Sequence, residues 1–280
     1  MTTVRSALSE GTDRLGSLET PFLDATVLLA HALGITKERL LASYPEEIPK
    51  SILSTYNSYL GQRLSGIPVS YILCKKEFYG LPFYVDKRVL VPRPETETLI
   101  EAALDEIKSY PEKRRLLDVC TGSGCIAITL SYLHPELFVS ASDISLEALE
   151  VARLNSRHLL STAPRFIESD LFEEVEGKFD IIVSNPPYLT EEETEDMQIK
   201  GWPEPIIALN GGEDGLTQVR EIAQQGFDHL TVNGYLLIEG DVRRVDAIAE
   251  ILDASGYKDI SIYPDLSGRG RAAGGRKPSI

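Results

Sequence analysis

The chain has 280 residues, which at about 150 residues per domain makes two domains or one large one. Its 42% hydrophobic and 25% charged residues exclude wholesale disorder and a fibrous class; no run reaches the roughly 18 apolar residues of a membrane span and no signal-peptide pattern opens the chain, so a cytoplasmic setting without membrane contact is expected. The net charge of −15 falls entirely beyond Lys75, and between Glu168 and Asp196 eleven acids face one base, Lys178; such a surface repels phosphate backbones, so no direct DNA binding is expected, and it reads either as a solvated acidic face or as one that steers a basic protein partner.

Residues 1–75 read as helical. Thr20-Pro21 is a helix start, followed by an apolar stripe through Phe22, Leu23, Val27, Leu28, Leu29 and Leu33 and closed by Gly34. Thr36 caps a short piece through Leu40 and Leu41, and Ile52, Leu53, Tyr56, Leu60 and Leu64 keep helical spacing up to Ser65-Gly66. With no catalytic constellation in it, this segment is expected to be a substrate-docking or lid domain. Residues 76–93 change period to the short apolar pieces Phe78-Tyr79, Phe83-Tyr84-Val85 and Val89-Leu90-Val91, broken at Gly80 to Pro82, which predicts a β-hairpin connector. From residue 94 a third segment runs to 280. Pro92-Arg93-Pro94-Glu95-Thr96 opens a helix through Leu99 to Ile107. Strands at Leu116–Cys120, Phe138–Ser142, Arg165–Glu168, Phe179–Ser184, Tyr235–Glu239 and Lys258–Tyr263 then alternate with helices after Cys125, Ser145, Asp214 and Arg243. That alternation predicts an α/β fold with a mostly parallel sheet covered on both faces, and ligands at the carboxyl ends of its strands.

Four stretches at those ends carry chemistry. Asp118-Val119-Cys120-Thr121-Gly122-Ser123-Gly124 is a buried strand running into a glycine turn and a helix, where a backbone without Cβ atoms can approach a ligand closely. Asp143 ends the next strand 21 residues beyond Gly122, the place of an acid that binds ribose hydroxyls. Taken alone these residues mean a nucleoside cofactor, nicotinamide or S-adenosylmethionine. Asp118 within the first strand, and Asp170-Leu171 at the end of the third, where an acid can accept from an adenine amino group, favour S-adenosylmethionine. The fourth stretch is Asn185-Pro186-Pro187-Tyr188, which stops a buried strand. Two prolines without N–H groups fix a rigid turn with free carbonyls. Asn185 and a turn carbonyl can then accept both hydrogens of a planar NH2 group, with Tyr188 as an aromatic wall. Cys120 and Cys125 flank the glycine turn without a histidine nearby and read as packing residues. The odd number of cysteines (Cys74 is the third) and four scattered histidines predict neither disulfides nor a metal site. The Gly-rich end with Arg269, Arg271, Arg276 and Lys277 reads as a solvated tail or as a mobile basic end that touches RNA.

Nearly the whole chain resembles the N5-glutamine methyltransferases, in particular the PrmC or HemK family that acts on peptide chain release factors. The resemblance is carried by Leu90-Val91-Pro92-Arg93-Pro94-Glu95-Thr96-Glu97, the glycine turn, Asn185 to Tyr188, Glu204-Pro205 to Ala208-Leu209, Gly211-Gly212-Glu213-Asp214-Gly215-Leu216 and Asp265-Leu266 to Arg271. After Leu237-Ile238-Glu239 the chain departs from the family pattern with Gly240-Asp241-Val242-Arg243. The resemblance implies a class I S-adenosylmethionine-dependent methyltransferase, Rossmann-like, with a small helical N-terminal domain. It also implies methyl transfer to the glutamine of a Gly-Gly-Gln loop in class I release factors, with S-adenosylhomocysteine as product. Asn185, Pro186, Pro187 and Tyr188 are then the catalytic and substrate-binding turn, and Arg93 either lines the substrate mouth or pairs with a nearby acid. Asp118, Cys120, Thr121, Gly122, Ser123, Gly124, Asp143, Asp170, Leu171 and Asn185 are the expected cofactor set. The alternatives are the sister enzyme that methylates a glutamine of a large-subunit ribosomal protein, an adenine-N6 nucleic-acid methyltransferase that uses the same turn, and a cofactor-binding module that no longer catalyses.

Overall fold

Apolar residues at helical spacing build the first part of the chain. In the computed structural model, which describes residues 2–112 and 114–279, α1 (Val4–Arg14), α2 (Pro21–Leu33), α3 (Lys37–Ala42), α4 (Lys50–Leu64) and α5 (Val69–Ile72) follow one another. Thr3 closes a capping box on α1, Thr36 caps α3, and Gly34 ends α2 in the left-handed region. Val4, Leu8, Leu28, Leu29, Leu40, Tyr56 and Leu60 form the core of this unit. The buried face of α2 runs through Ala25, Leu28 and Leu29, so Phe22 and Leu23, expected in the stripe, are about half exposed instead. Thr20 sends its hydroxyl to Asp24 and does not cap the backbone.

The chain divides after Lys75, with Gly201–Pro203 grouped with the helical unit and the rest forming the larger one. The larger unit begins with a hairpin, β1 (Lys76–Phe78) paired antiparallel to β2 (Leu81–Phe83). The break expected at Gly80 to Pro82 is shorter and earlier: Tyr79 and Gly80 both take positive φ, as the tightest hairpin turns require, and Leu81 and Pro82 already lie in the strand. Phe78 and Phe83 anchor the hairpin in the core of the larger unit. Val89-Leu90-Val91 forms no strand. A single 3-10 turn, Pro94–Thr96, leads into α6 (Glu97–Ser109).

Then β3 (Arg115–Val119), α7 (Cys125–Leu133), β4 (Phe138–Asp143), α8 (Leu146–Leu159), β5 (Arg165–Glu168), β6 (Phe179–Ser184), α9 (Glu191–Ile199), α10 (Thr217–His229), β7 (Leu230–Glu239), α11 (Val245–Ala254), β8 (Lys258–Pro264) and β9 (Gly270–Arg276) complete the fold. The sheet runs β5-β4-β3-β6-β7-β9-β8, parallel from β5 to β7 and antiparallel on both sides of β9. Alternate residues of β3 enter opposite cores: Leu116 packs with α6 and α7, Leu117 and Val119 with α10 and α11. Burial on both faces makes these strands continuously apolar in sequence.

The C-terminal segment corrects an expectation. Instead of a tail, β9 is inserted between β7 and β8. The missing side chains of its glycines are the reason it fits. A Cβ on Gly274 would stand 2.7 Å from the Tyr235 ring, and one on Gly275 would stand 2.7 Å from Ile260. Its basic residues are committed inward: Arg276 pairs with Glu106 at 2.7 Å between the rings of Tyr110 and Tyr235, Arg271 pairs with Asp265 at 3.1 Å, and Lys277 donates to the Phe227 carbonyl at 2.6 Å.

Candidate active site

The sheet order reverses direction between β3 and β6, because β4 and β5 extend to one side and β7 to the other. Chain segments leaving β3 and β6 therefore diverge and leave a crevice at their carboxyl ends. A cavity of about 260 Å³ occupies it, lined among others by Cys120, Gly122, Asp143, Asp170, Asn185 and Pro187.

One wall is the turn after β3. Asp118 is fully buried beneath it and accepts from the Thr121 hydroxyl at 2.6 Å and the Ala127 N–H at 3.1 Å, so it braces the turn from inside the sheet. Burial pushes its carboxyl up to about 7. Gly124, at φ +80, packs so closely that a Cβ would lie 2.8 Å from Ile128. The β4 end supplies Asp143, whose two oxygens accept from the Gly122 and Ser145 N–H groups at 2.8 and 2.9 Å. Burial raises Asp143 as well, against those two hydrogen bonds. Cys120 and Leu171, both on the cavity wall, hold positive φ without being glycine. Such backbone costs about 1–3 kcal/mol each. Burial raises both thiols beside the turn, Cys125 up to about 12, so neither is a thiolate nucleophile.

The facing wall is the turn after β6. Ser184 ties the two strand ends together by donating to the Val119 carbonyl at 2.8 Å. Asn185 follows, its Nδ2 donating to the Thr96 hydroxyl at 3.1 Å. The turn is supported from outside by the glycine-rich loop 211–215. The Leu189 N–H donates to the Leu209 carbonyl at 2.9 Å, and the Gly211 N–H to the Leu189 carbonyl at 2.7 Å. The loop lies so near that a Cβ on Gly215 would stand 2.4 Å from the Tyr188 carbonyl oxygen. Tyr188 is half-buried, and burial pushes its hydroxyl well above the usual tyrosine range.

Of the residues singled out in the sequence, Cys120, Thr121, Gly122, Ser123, Asp143, Asp170, Leu171, Asn185 and Pro187 line one cavity. Asp118, Gly124, Pro186, Tyr188 and Arg93 do not line it. Asp118 and Gly124 shape the turn from behind, and the Arg93 guanidinium is paired with Glu204, a buried carboxylate that also accepts from the Val91 N–H at 2.9 Å. Sequence reasoning gave no site role to Arg88, Val89, Leu90, Pro205, Ile207, Ala208 and Gln218, which also line the wall. It also missed Asn155, which is buried and holds the Ser123 and Tyr84 carbonyls at 2.9 and 3.0 Å while accepting from the Tyr84 N–H at 2.7 Å. A polar residue in the apolar stripe Leu149, Ala152, Asn155 of α8 was the available signal.

A seven-stranded sheet in this order, with its crevice between a glycine turn and an Asn-Pro-Pro-Tyr turn, is the fold of the class I methyltransferases. Residues 95–201 match the family described as "Methyltransferase small domain", and residues 6–73 match "PrmC N-terminal domain". A "Release factor glutamine methyltransferase" of Neisseria gonorrhoeae is 39% identical over 94% of this chain and 96% of its own length, and one of Koribacter versatilis is 38% identical over 99% of both. The crystal structure of a methyltransferase from Pyrococcus furiosus shares the fold, with TM-score 0.53 and 19% identity over 80% of this chain and all of that one. The chain belongs to the release factor glutamine methyltransferase family.

Proposed function

We propose that this protein transfers a methyl group from S-adenosylmethionine to the side-chain amide nitrogen (N5) of the glutamine in the Gly-Gly-Gln motif of class I peptide chain release factors. The observation that carries this reading is the Asn185–Tyr188 turn at the end of β6, with Asn185 and Pro187 on the same cavity as the glycine turn of β3. The residues fit the cofactor. A Cβ on Gly122 would meet nothing within 4 Å, so the backbone there stands open to a ligand; in this reading Asp143, on the cavity wall, takes the ribose hydroxyls and Asp170, exposed on the same wall, takes an adenine amino group. When bound, S-adenosylmethionine supplies a sulfonium methyl that is already activated for displacement.

The chain's task is to prepare the acceptor. An amide nitrogen is a poor nucleophile because its lone pair is delocalised into the carbonyl. The Asn185 Oδ1 and the Pro186 carbonyl accept the two N–H groups of the glutamine amide. They favour a pyramidal nitrogen, because both acceptors strengthen as positive charge develops there, and the methylated nitrogen then loses one proton to solvent to restore the neutral amide. The two prolines keep those acceptors rigid. In this reading Tyr188, which does not itself line the cavity, would offer its ring to the flat amide once substrate enters, and a turn that holds the acceptor nitrogen in place would remove much of the entropic barrier. Residues 1–75 serve the docking of the protein substrate in this reading. The acidic run from Glu168 to Asp196 disfavours a nucleic-acid substrate for the same turn.

The test is transfer of labelled methyl to three acceptors side by side: a class I release factor, the same factor with its loop Gln changed to Ala, and double-stranded DNA. Label on the first alone supports the reading. Label on DNA replaces it with the adenine reading, and label on none with the ribosomal-protein enzyme or a non-catalytic module.

A further inference from the structure

An Asn side chain can present either its oxygen or its NH2 to a ligand, and only the oxygen can accept from a glutamine amide. Something must therefore decide which end of Asn185 faces the acceptor. Behind Asn185 lie two buried polar residues from distant parts of the chain. Thr96, in the turn before α6, is 2% exposed, and Glu239, at the end of β7, is 2% exposed. Asn185 Nδ2 donates to the Thr96 hydroxyl at 3.1 Å, and the Thr96 and Asn185 side chains both lie near enough to the Glu239 carboxyl to favour its ionised form. Its Oε2 is a buried oxygen with no hydrogen-bond partner among the described residues.

An ionised carboxylate only accepts. It therefore takes the single Thr96 hydroxyl proton, leaving the Thr96 oxygen to accept, and it turns the NH2 end of Asn185 toward itself. The Asn185 Oδ1 is left on the opposite side of the amide. We propose that Thr96 and Glu239 are positioning residues for the methyl transfer: together they lock the Asn185 amide with its oxygen toward the acceptor. The proposal rests on the assignment of Asn185 as the residue that binds the substrate amide.

The lock depends on the state of the carboxyl, because a protonated Glu239 can donate and removes the preference. Burial pushes Glu239 up to about 7, against the hydrogen bonds from Thr96 and Asn185 and the pull of Arg271; Glu95 adds to the rise. The Tyr188 hydroxyl and the Cys125 thiol also feel Glu239, and burial raises both, so they stay neutral through that range. Turnover is thus expected to rise with pH through about 7 as the lock forms.

The experiment uses the full-length protein. Methyl transfer to a release factor is followed across pH for wild type, Thr96→Val, Thr96→Ser and Glu239→Gln, with cofactor affinity measured by calorimetry. Thr96→Val keeps the side-chain shape and is expected to lower kcat roughly 10-fold to 100-fold, the scale for a misaligned reacting group, with cofactor affinity little changed. Thr96→Ser restores most of that loss. Glu239→Gln lowers kcat and removes the rise through about pH 7. Unchanged kcat in Thr96→Val and Glu239→Gln, or a loss that Thr96→Ser does not rescue together with an unaltered pH profile, overturns the proposal. A second readout needs no substrate: the side-chain NH2 resonances of Asn185, identified by their loss in Asn185→Ala, should titrate near pH 7 in wild type and stay flat in Glu239→Gln. A flat wild-type titration refutes the lock even if the enzyme is active. A wild type that methylates no release factor but shows the titration refutes the substrate assignment and leaves the lock standing.

Discussion

Gly215→Ala probes whether the position of the Asn185–Tyr188 turn limits the chemistry. Gly215 has φ +75, and a Cβ there would stand 2.4 Å from the Tyr188 carbonyl oxygen and 3.0 Å from the Arg244 Nε. The arginine is a flexible end, whereas the carbonyl belongs to the turn itself. Ordinary contact begins near 3.4 Å, so the loop and the turn must separate by about 1 Å. A displacement of that size at a reacting centre costs about 10²-fold in rate. Left-handed backbone in a residue with a Cβ adds about 1–2 kcal/mol of strain, which for a unit of about 200 residues lowers the melting temperature by about 2–8 °C. Gly256→Ala is the control. Gly256 has φ +93, but its Cβ would find the nearest atom, on the Phe227 ring, at 3.6 Å. That variant should lose only the stability due to backbone strain and keep its turnover. Steady-state methyl transfer and thermal melting of both variants decide the matter. Equal turnover in Gly215→Ala and Gly256→Ala, with equal loss of stability, would refute the buttressing role of the loop.

Asn185→Ala is expected to lower turnover by roughly 10²-fold or more, the scale for one preorganised transition-state partner, while cofactor affinity measured by calorimetry falls less; wild-type turnover would remove Asn185 from the mechanism. Tyr188→Ala should damage turnover more than Tyr188→Phe, because the ring survives in the second, and equal losses would transfer the role to the hydroxyl. Asp143→Ala removes a carboxylate that organises the glycine turn through Gly122. At about 1.5–3 kcal/mol for a charged hydrogen bond, its cofactor Kd should rise about 10-fold to 100-fold, and an unchanged Kd would deny it a ligand role. Glu239, raised from 4.5 to about 7, binds its proton more tightly in the folded state. Its contribution is therefore fully present below about 4.5 and is lost as pH rises through about 7, up to about 3 kcal/mol. Urea unfolding at about pH 5 and about pH 8 should show a smaller loss of stability in Glu239→Gln than in wild type, and identical slopes would contradict that shift.

The central strands that place the site were legible because they are buried on both faces: Phe179–Ser184 falls where its apolar run puts it, and the glycine turn and the Asn-Pro-Pro-Tyr turn end β3 and β6. The edge strand Arg165–Glu168 also has its expected bounds, although none of its residues is fully buried. What stayed illegible depends on partners far away in sequence. The segment Gly270–Arg276 carries no strand-forming pattern, since its glycines serve the rings of Tyr235 and Tyr257. Pairing with an acid is one of the two roles the sequence offers Arg93, but nothing local names distant Glu204 as the partner, and Val89 and Leu90, in an apolar piece expected as strand, line the cavity as loop. Helix α9 is acidic on nearly all sides and has no apolar stripe to betray it; its capping box, Thr190 with Glu193, was the readable signal.

The central claim is that the turn after β6 methylates one glutamine amide. The most direct measurement is tandem mass spectrometry of a class I release factor after incubation with S-adenosylmethionine and either wild type or Asn185→Ala. A single added methyl on the side chain of the Gly-Gly-Gln glutamine, formed by the wild type and nearly absent with the variant, is the expected result. A methyl on any other residue, or equal modification by both proteins, would contradict the account.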